Sequence, residues 1–137
     1  TEWQGGYEMM EDFIPYKLAV MLKGKGFSKK TFGVYMPPVK VVHLPMVYSL
    51  KDWNKGEDMY SAPTFAQVLE WLRKEKCLHV EFISAAYGYT YIVSRTPDCG
   101  GTDVYHAGYN GPNDGGAWDD YEDCVCSSLE YVVGNLI

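Results

Sequence analysis

The sequence predicts an α+β fold: a twisted antiparallel sheet with about three helices packed mainly on one face. Three observations lead there. Three segments carry apolar residues at helical spacing, short β-rich runs lie between them, and the links between successive strands are too short for parallel crossovers. Three amphipathic helices have three stripes to bury, and one sheet face is the simplest place to bury them. A chain of 137 residues suits one domain. Residues 1–12, polar and acidic with Gly5-Gly6, read as a flexible lead-in, and residues 13–137 as the single domain.

The first helix follows Pro15, a residue suited to a first helical turn. Ile14, Leu18, Met21 and Leu22 share a face, and Gly26 is a natural stop. Residues 31–36 (TFGVYM) are β-rich and end at Pro37-Pro38, because proline cannot donate to a sheet ladder. Residues 39–50 (VKVVHLPMVYSL) read as one bent strand or two short ones, with Pro45 placing them at an edge or a bulge. Residues 52–59 (DWNKGEDM) form a polar loop.

The clearest local signal follows. In residues 64–67 (TFAQ), Thr64 and Gln67 match a capping box, in which each side chain satisfies the backbone N–H of the other. Phe65, Val68, Leu69 and Leu72 make the buried stripe, widened by Trp71, and Glu70–Lys74 is a favourable i,i+4 pair on the solvated face. Residues 78–84 and 89–95 alternate around a four-residue loop, 85–88, and predict a β-hairpin with Gly88 at positive φ. Residues 96–102 are a turn, 104–109 a third strand of the meander, and 110–116 (NGPNDGG) a glycine-rich surface or contact loop. Asp119 with Glu122 three residues on is a second cap signature. It opens a terminal helix of about 15 residues with Tyr121, Cys124, Val125, Ser128, Leu129, Val132 and Leu136 on one face.

Charge is unevenly placed. All twelve Lys and Arg lie between Lys17 and Arg95, and the residues after Arg95 hold eight acids and no cation. That third repels phosphate backbones, which argues against nucleic acid as a partner. No stretch approaches the roughly 20 apolar residues of a membrane span, and no secretory signal is visible, so a cytoplasmic protein is expected. Cys124 and Cys126 sit about 200° apart on a helix and cannot bridge each other. With them, Cys77 and Cys99 read as reduced thiols.

Three blocks bear a resemblance: residues 13–27 (FIPYKLAVMLKGKGF), residues 61–82 (SAPTFAQVLEWLRKEKCLHVEF) and the tyrosine-acid start of the last helix, DDYEDCVCSSLEYVVGNLI. Together they resemble small proteins of Bacteroides and of their phages and prophages, a group with no assigned activity. The resemblance covers about half of the chain and implies a mobile-element or gut-bacterial setting. It supplies no catalytic residues. The cysteines of the last helix and the long loop at 108–116 depart from the pattern.

Chemistry-bearing constellations are sparse. His43, His79 and His106 fall on predicted strands, and no spacing typical of a zinc site accompanies them, so no metal or other cofactor is expected. Cys99 with His106 is the one candidate nucleophile–base pair, but the charges nearest Cys99 in sequence are negative, which opposes a reactive thiolate. The loop at 108–116 lacks the ending of a phosphate loop. Tyrosine is abundant, with twelve in the chain. Tyr87, Tyr89, Tyr91, Tyr105 and Tyr109 cluster on the hairpin and the next strand and form the candidate binding surface. The expected function is therefore a non-catalytic binding module, with a protein partner or self-association. A small enzyme using Cys99 and His106, or a structural homodimer, are the alternatives.

Overall fold

The computed structural model describes residues 13–45 and 50–137. The expected lead-in over 1–12 lies outside them. The described residues form three α-helices and five strands in two antiparallel sheets, an α+β fold. The chain divides into two compact units, Thr1–Val68 and Leu69–Ile137.

In the first unit, α1 spans Tyr16–Gly24 and buries Leu18, Ala19 and Leu22, with Ile14 and Phe27 buried at its two ends. Each large aliphatic side chain so buried contributes about 2 kcal/mol. The helix ends in a Schellman motif: Gly26 takes φ +86°, and the N–H of Phe27 donates to the Leu22 carbonyl at 3.0 Å. Strand β1 is Gly33–Tyr35, and it pairs with β2, Tyr60–Ala62. The one bent strand or two short ones expected over residues 39–50 are reduced, among the described residues, to one bridge between His43 and Val34; Met46 to Ser49 lie outside the description. The reason is burial. Among the described residues there, Val39 and Val41 are 57% and 63% exposed, so little apolar burial holds a strand, and Pro45 withholds a donor.

Helix α2, Phe65–Lys76, begins on the expected box: Thr64 N–H donates to Gln67 Oε1 at 2.9 Å, and Gln67 N–H to Thr64 Oγ1 at 3.2 Å. Val68, Trp71 and Leu72 are buried, and Lys74 pairs with Glu70 at 2.6 Å on the solvated face. The helix stops at Cys77, which adopts φ +56°.

The second unit is built on a meander of β3 (Leu78–Ala85), β4 (Gly88–Arg95) and β5 (Asp103–His106). The register pairs Ala85 with Gly88, so the hairpin turn is Ala86-Tyr87, tighter than the four-residue loop expected. Leu78, Val80, Tyr91 and Val93 are buried on one face of the sheet. Helix α3, Tyr121–Tyr131, continues into a π-helical turn at Val132–Leu136, and buries Cys124, Val125, Ser128, Leu129, Val132 and Val133. Its N-cap is Asp120, whose Oδ1 accepts from the Glu122 N–H at 3.3 Å, one residue later than the expected Asp119.

Two expectations about cysteine are overturned. Cys77 and Cys99 form a disulfide with Cα atoms 6.0 Å apart, and Cys124 and Cys126 are free. The register explains the pairing. Leu78 faces Arg95 as the last pair of the hairpin, and Thr96 N–H donates to the Cys77 carbonyl at 3.0 Å. A 3₁₀ turn at Pro97–Cys99 then folds Cys99 back over the hairpin's open end. The disulfide leaves Cys99 no thiolate, and His106 Nε2 instead contacts Asp103 Oδ2 at 2.8 Å. The Cys99–His106 catalytic pair therefore does not exist in this fold.

Candidate functional site

The five candidate tyrosines separate into packing residues and surface residues. Tyr91 is buried, with its ring 5.6 Å from that of Trp118 and 6.0 Å from that of Tyr105. Burial drives its phenol far above the ordinary value, and it offers no surface. Tyr105 is half-buried and stacks on Tyr131 of α3 at 4.1 Å. Tyr89 is half-buried, edge-on to Tyr121 at 5.5 Å. Such ring contacts join helix to sheet, each contributing about 1 kcal/mol beyond area burial. Tyr87 and Tyr109 remain. They are 47% and 78% exposed, and their rings lie 6.3 Å apart. Of the five, these two are the most exposed, and both lie at the turn end of the meander.

What holds that pair in place is the glycine-rich loop, and the sequence did not single out its key residue. Asn113 is a hub. Its Oδ1 accepts from the N–H groups of Gly115 at 3.0 Å and Ala117 at 2.8 Å, and its Nδ2 donates to the Tyr87 carbonyl and to Asp119 Oδ1, both at 2.8 Å. Tyr89 and Trp118 exchange backbone hydrogen bonds at 2.8 and 2.9 Å, pinning the far end of the loop to β4. Gly115 lies so near Tyr87 that a Cβ would sit 2.9 Å from that of the tyrosine, and Gly116, at φ +74°, backs onto the Tyr109 carbonyl. The glycines allow close approach of the loop to both rings. The segment is a stitched platform, with the N–H groups of Gly111 and Gly116 and the Gly116 carbonyl paired within it.

Beside the pair opens a cleft of about 480 Å³ lined by Tyr87, Asn113, Asp114, Gly115 and Asp119. Both carboxylates are exposed. The cations of this unit lie elsewhere. Arg95 is at the other end of β4, roughly 25 Å along the strand from the turn, and Arg73, Lys74 and Lys76 are in the last turn of α2, which leads into the start of β3. The rim is therefore aromatic and anionic. The lining holds no thiol, imidazole or aliphatic hydroxyl. The free thiols are on α3, where burial raises both to about 11; for Cys126 the acids Glu130, Asp123, Glu122 and Asp120 add to the effect. Neither is poised as a nucleophile.

The polar cluster on the opposite sheet face is small. Asp103 accepts from Ser94 Oγ at 3.0 Å and contacts His106, and these hydrogen bonds hold its carboxyl below the ordinary value. Asp is central and bridges the other two, so no serine–histidine contact exists to activate the hydroxyl. Among the described residues, no three His, Cys, Asp or Glu side chains group to hold a metal ion, and no helix is long and apolar enough to cross a membrane.

No protein-family model, no curated protein and no solved structure matches the chain.

Proposed function

We propose that this protein is a non-catalytic binding module that docks a basic segment of a protein partner against the Tyr87–Tyr109 end of the meander. One observation carries the reading: two exposed tyrosines, fixed by the Asn113 loop, stand beside Asp114 and Asp119 with no cation of their own unit nearby. An arginine or lysine head satisfies both halves of that rim. Its charge faces a tyrosine ring, a contact of about 0.5–1 kcal/mol at an exposed site, while the carboxylates supply hydrogen-bond acceptors. The fixed loop lowers the ordering cost of binding.

The test is a titration of the protein with a tetra-arginine peptide, followed by amide and tyrosine NMR shifts, with tetra-glutamate as control. Saturable shifts at Tyr87, Tyr109 and 113–115, weakened by salt and by Tyr109→Ala or Asp114→Asn, support the reading. Shifts confined to other residues, or none at millimolar peptide, sink it. One observation favours a second reading, self-association: residues 13–68 carry eight lysines against three acids, so another copy can supply the cation. Light scattering that shows concentration-dependent dimers, lost in Tyr109→Ala, would decide for it.

The setting proposed is a mobile element or its bacterial host, on the strength of the three sequence blocks. Within it, the Cys77–Cys99 disulfide favours an oxidising compartment over the expected cytoplasm.

A further inference from the structure

A second cleft, of about 500 Å³, lies in the first unit. Lys30, Leu50, Lys51, Asp52, Trp53, Lys55, Gly56 and Met59 line it. That volume is in the range of small-molecule sites. Its charge is the reverse of the tyrosine end: three lysines against one acid among the described lining residues. Asp52 is engaged in its own turn, its Oδ1 accepting from the Asn54 N–H at 3.1 Å. None of the three lysines pairs with a carboxylate among the described residues. Three ammonium groups with no carboxylate partner at one cleft repel each other and are stabilised by a ligand of more than one negative charge.

The walls are fixed. Trp53 Nε1 donates to the Thr31 carbonyl at 2.9 Å and its backbone N–H to Ser61 Oγ at 3.1 Å. Thr31 and Lys51 exchange backbone bonds at 2.9 and 3.2 Å, which sets Lys30 beside Asp52. Lys23 reaches from α1 to close the far side of the loop, donating to the carbonyls of Gly56 at 2.5 Å, Glu57 at 3.2 Å and Met59 at 2.8 Å. A surface loop held at this many points is pre-organised. The Lys51 ammonium lies over the Trp53 ring, 5.2 Å from its centroid.

We infer that this cleft binds a small organic phosphate with a planar ring, of the chemistry of a nucleoside phosphate. Lysine recognises phosphate as a point charge, whereas the fork that matches a lone carboxylate belongs to arginine, which this lining lacks. On binding, Lys51 exchanges the indole face for a phosphate oxygen, and the vacated face stacks the planar ring. Lys30 and Lys55 take the remaining charge. The site goes beyond the tyrosine end and does not depend on it.

The probes are ATP, inorganic phosphate and adenosine, titrated by calorimetry and by tryptophan fluorescence. ATP binds saturably and quenches a signal that is absent from Trp53→Phe. Inorganic phosphate competes at higher concentration, and adenosine alone shows no saturation. Lys30→Gln and Lys55→Gln each weaken ATP about tenfold, the loss of one charge-assisted hydrogen bond, with melting temperature unchanged. No saturable ATP binding at millimolar concentration overturns the inference, as does binding indifferent to both lysine variants. Equal affinity for inorganic phosphate overturns the ring, and tighter binding of a single-stranded oligonucleotide overturns the small ligand. Loss of tetra-arginine binding leaves every one of these readings intact, so the two sites fail separately.

Discussion

Asn113→Ala is the perturbation that best tests the stitched platform. The side chain makes four hydrogen bonds between 2.8 and 3.0 Å. They are not equal. Ala117 is fully buried, so its N–H finds little water once Oδ1 is gone, a cost of about 1–2 kcal/mol. The Gly115 N–H is half-exposed and loses about 0.5–1 kcal/mol. The Tyr87 carbonyl and the exposed Asp119 carboxylate recover most of their bonding from solvent, so about 0.5 kcal/mol covers both. The expected loss is about 2.5 kcal/mol, read by urea unfolding, with faster amide exchange at Ala117 and weaker tetra-arginine binding. Asn113→Asp separates the parts. It keeps the acceptor for both N–H groups, loses the donor, and adds a charge beside Asp114 and Asp119. Its deficit therefore shrinks with added salt, which screens the like charges. A stability change under about 0.5 kcal/mol in Asn113→Ala, with Ala117 exchange unchanged, would refute the assignment of Asn113 as the hub.

Cys77→Ser combined with Cys99→Ser removes a cross-link between residues 22 apart, and unfolding free energy should fall by about 3 kcal/mol. Alkylation of the denatured, unreduced protein should label two of four cysteines, and mass spectrometry showing four would contradict the pairing. Lys23→Met keeps the apolar stem but frees three carbonyls, so about 2 kcal/mol is expected, together with weakened ATP binding; an unchanged denaturation midpoint would show that the clamp is idle. Stability should fall in alkali. Burial raises the phenols of Tyr35 and Tyr91 above 10.0, and the thiols of Cys124 and Cys126 from 9.0 to about 11. A folded-state pKa above the unfolded one gives stability that is complete below the unfolded value and is lost as pH rises through the folded one. Melting temperature should therefore hold to about pH 9 and then drop, and a flat profile through pH 11 would be the contrary result.

What the sequence disclosed was local. The Thr64–Gln67 box, the Glu70–Lys74 pair and the hairpin strands each depend on residues within a few positions, and each formed. What it hid needed two distant segments at once. Cys77 meets Cys99 only when the register from Leu78 to Arg95 is set, and spacing arguments between neighbouring cysteines cannot see that. The stretch over 39–50 has β-branched residues, but among its described residues Val39 and Val41 stay exposed, and β1 paired with Tyr60–Ala62, a stretch not expected as a strand. At the candidate site the tyrosine cluster was legible as composition and alternation. Which rings were core depended on α3, whose Tyr121 and Tyr131 cover Tyr89 and Tyr105.

The two proposed sites share a construction that follows from the shortness of the strands. With β1 and β2 of three residues each and β5 of four, sheet ladders satisfy few backbone groups, and irregular loops must satisfy the rest. An asparagine amide suits this work because it carries a donor and an acceptor on one rigid plane. Asn54 donates to the Phe27 carbonyl and accepts from the Ser61 N–H, each at 2.8 Å, fixing the turn that carries Trp53. Asn113 does the same for the turn that faces Tyr87 and Tyr109. Neither loop is held mainly by buried apolar side chains, so its outer surface is free to carry lysines in one case and carboxylates in the other. A charged rim on a loop fixed from beneath keeps its geometry when the rim residues change. Charge reversal at Lys55 or Asp114 should therefore alter ligand binding while leaving amide exchange at Ser61 and Ala117 as it was. Faster exchange there would mean that the rim charges help to hold the loops, and the division between scaffold and site would fall.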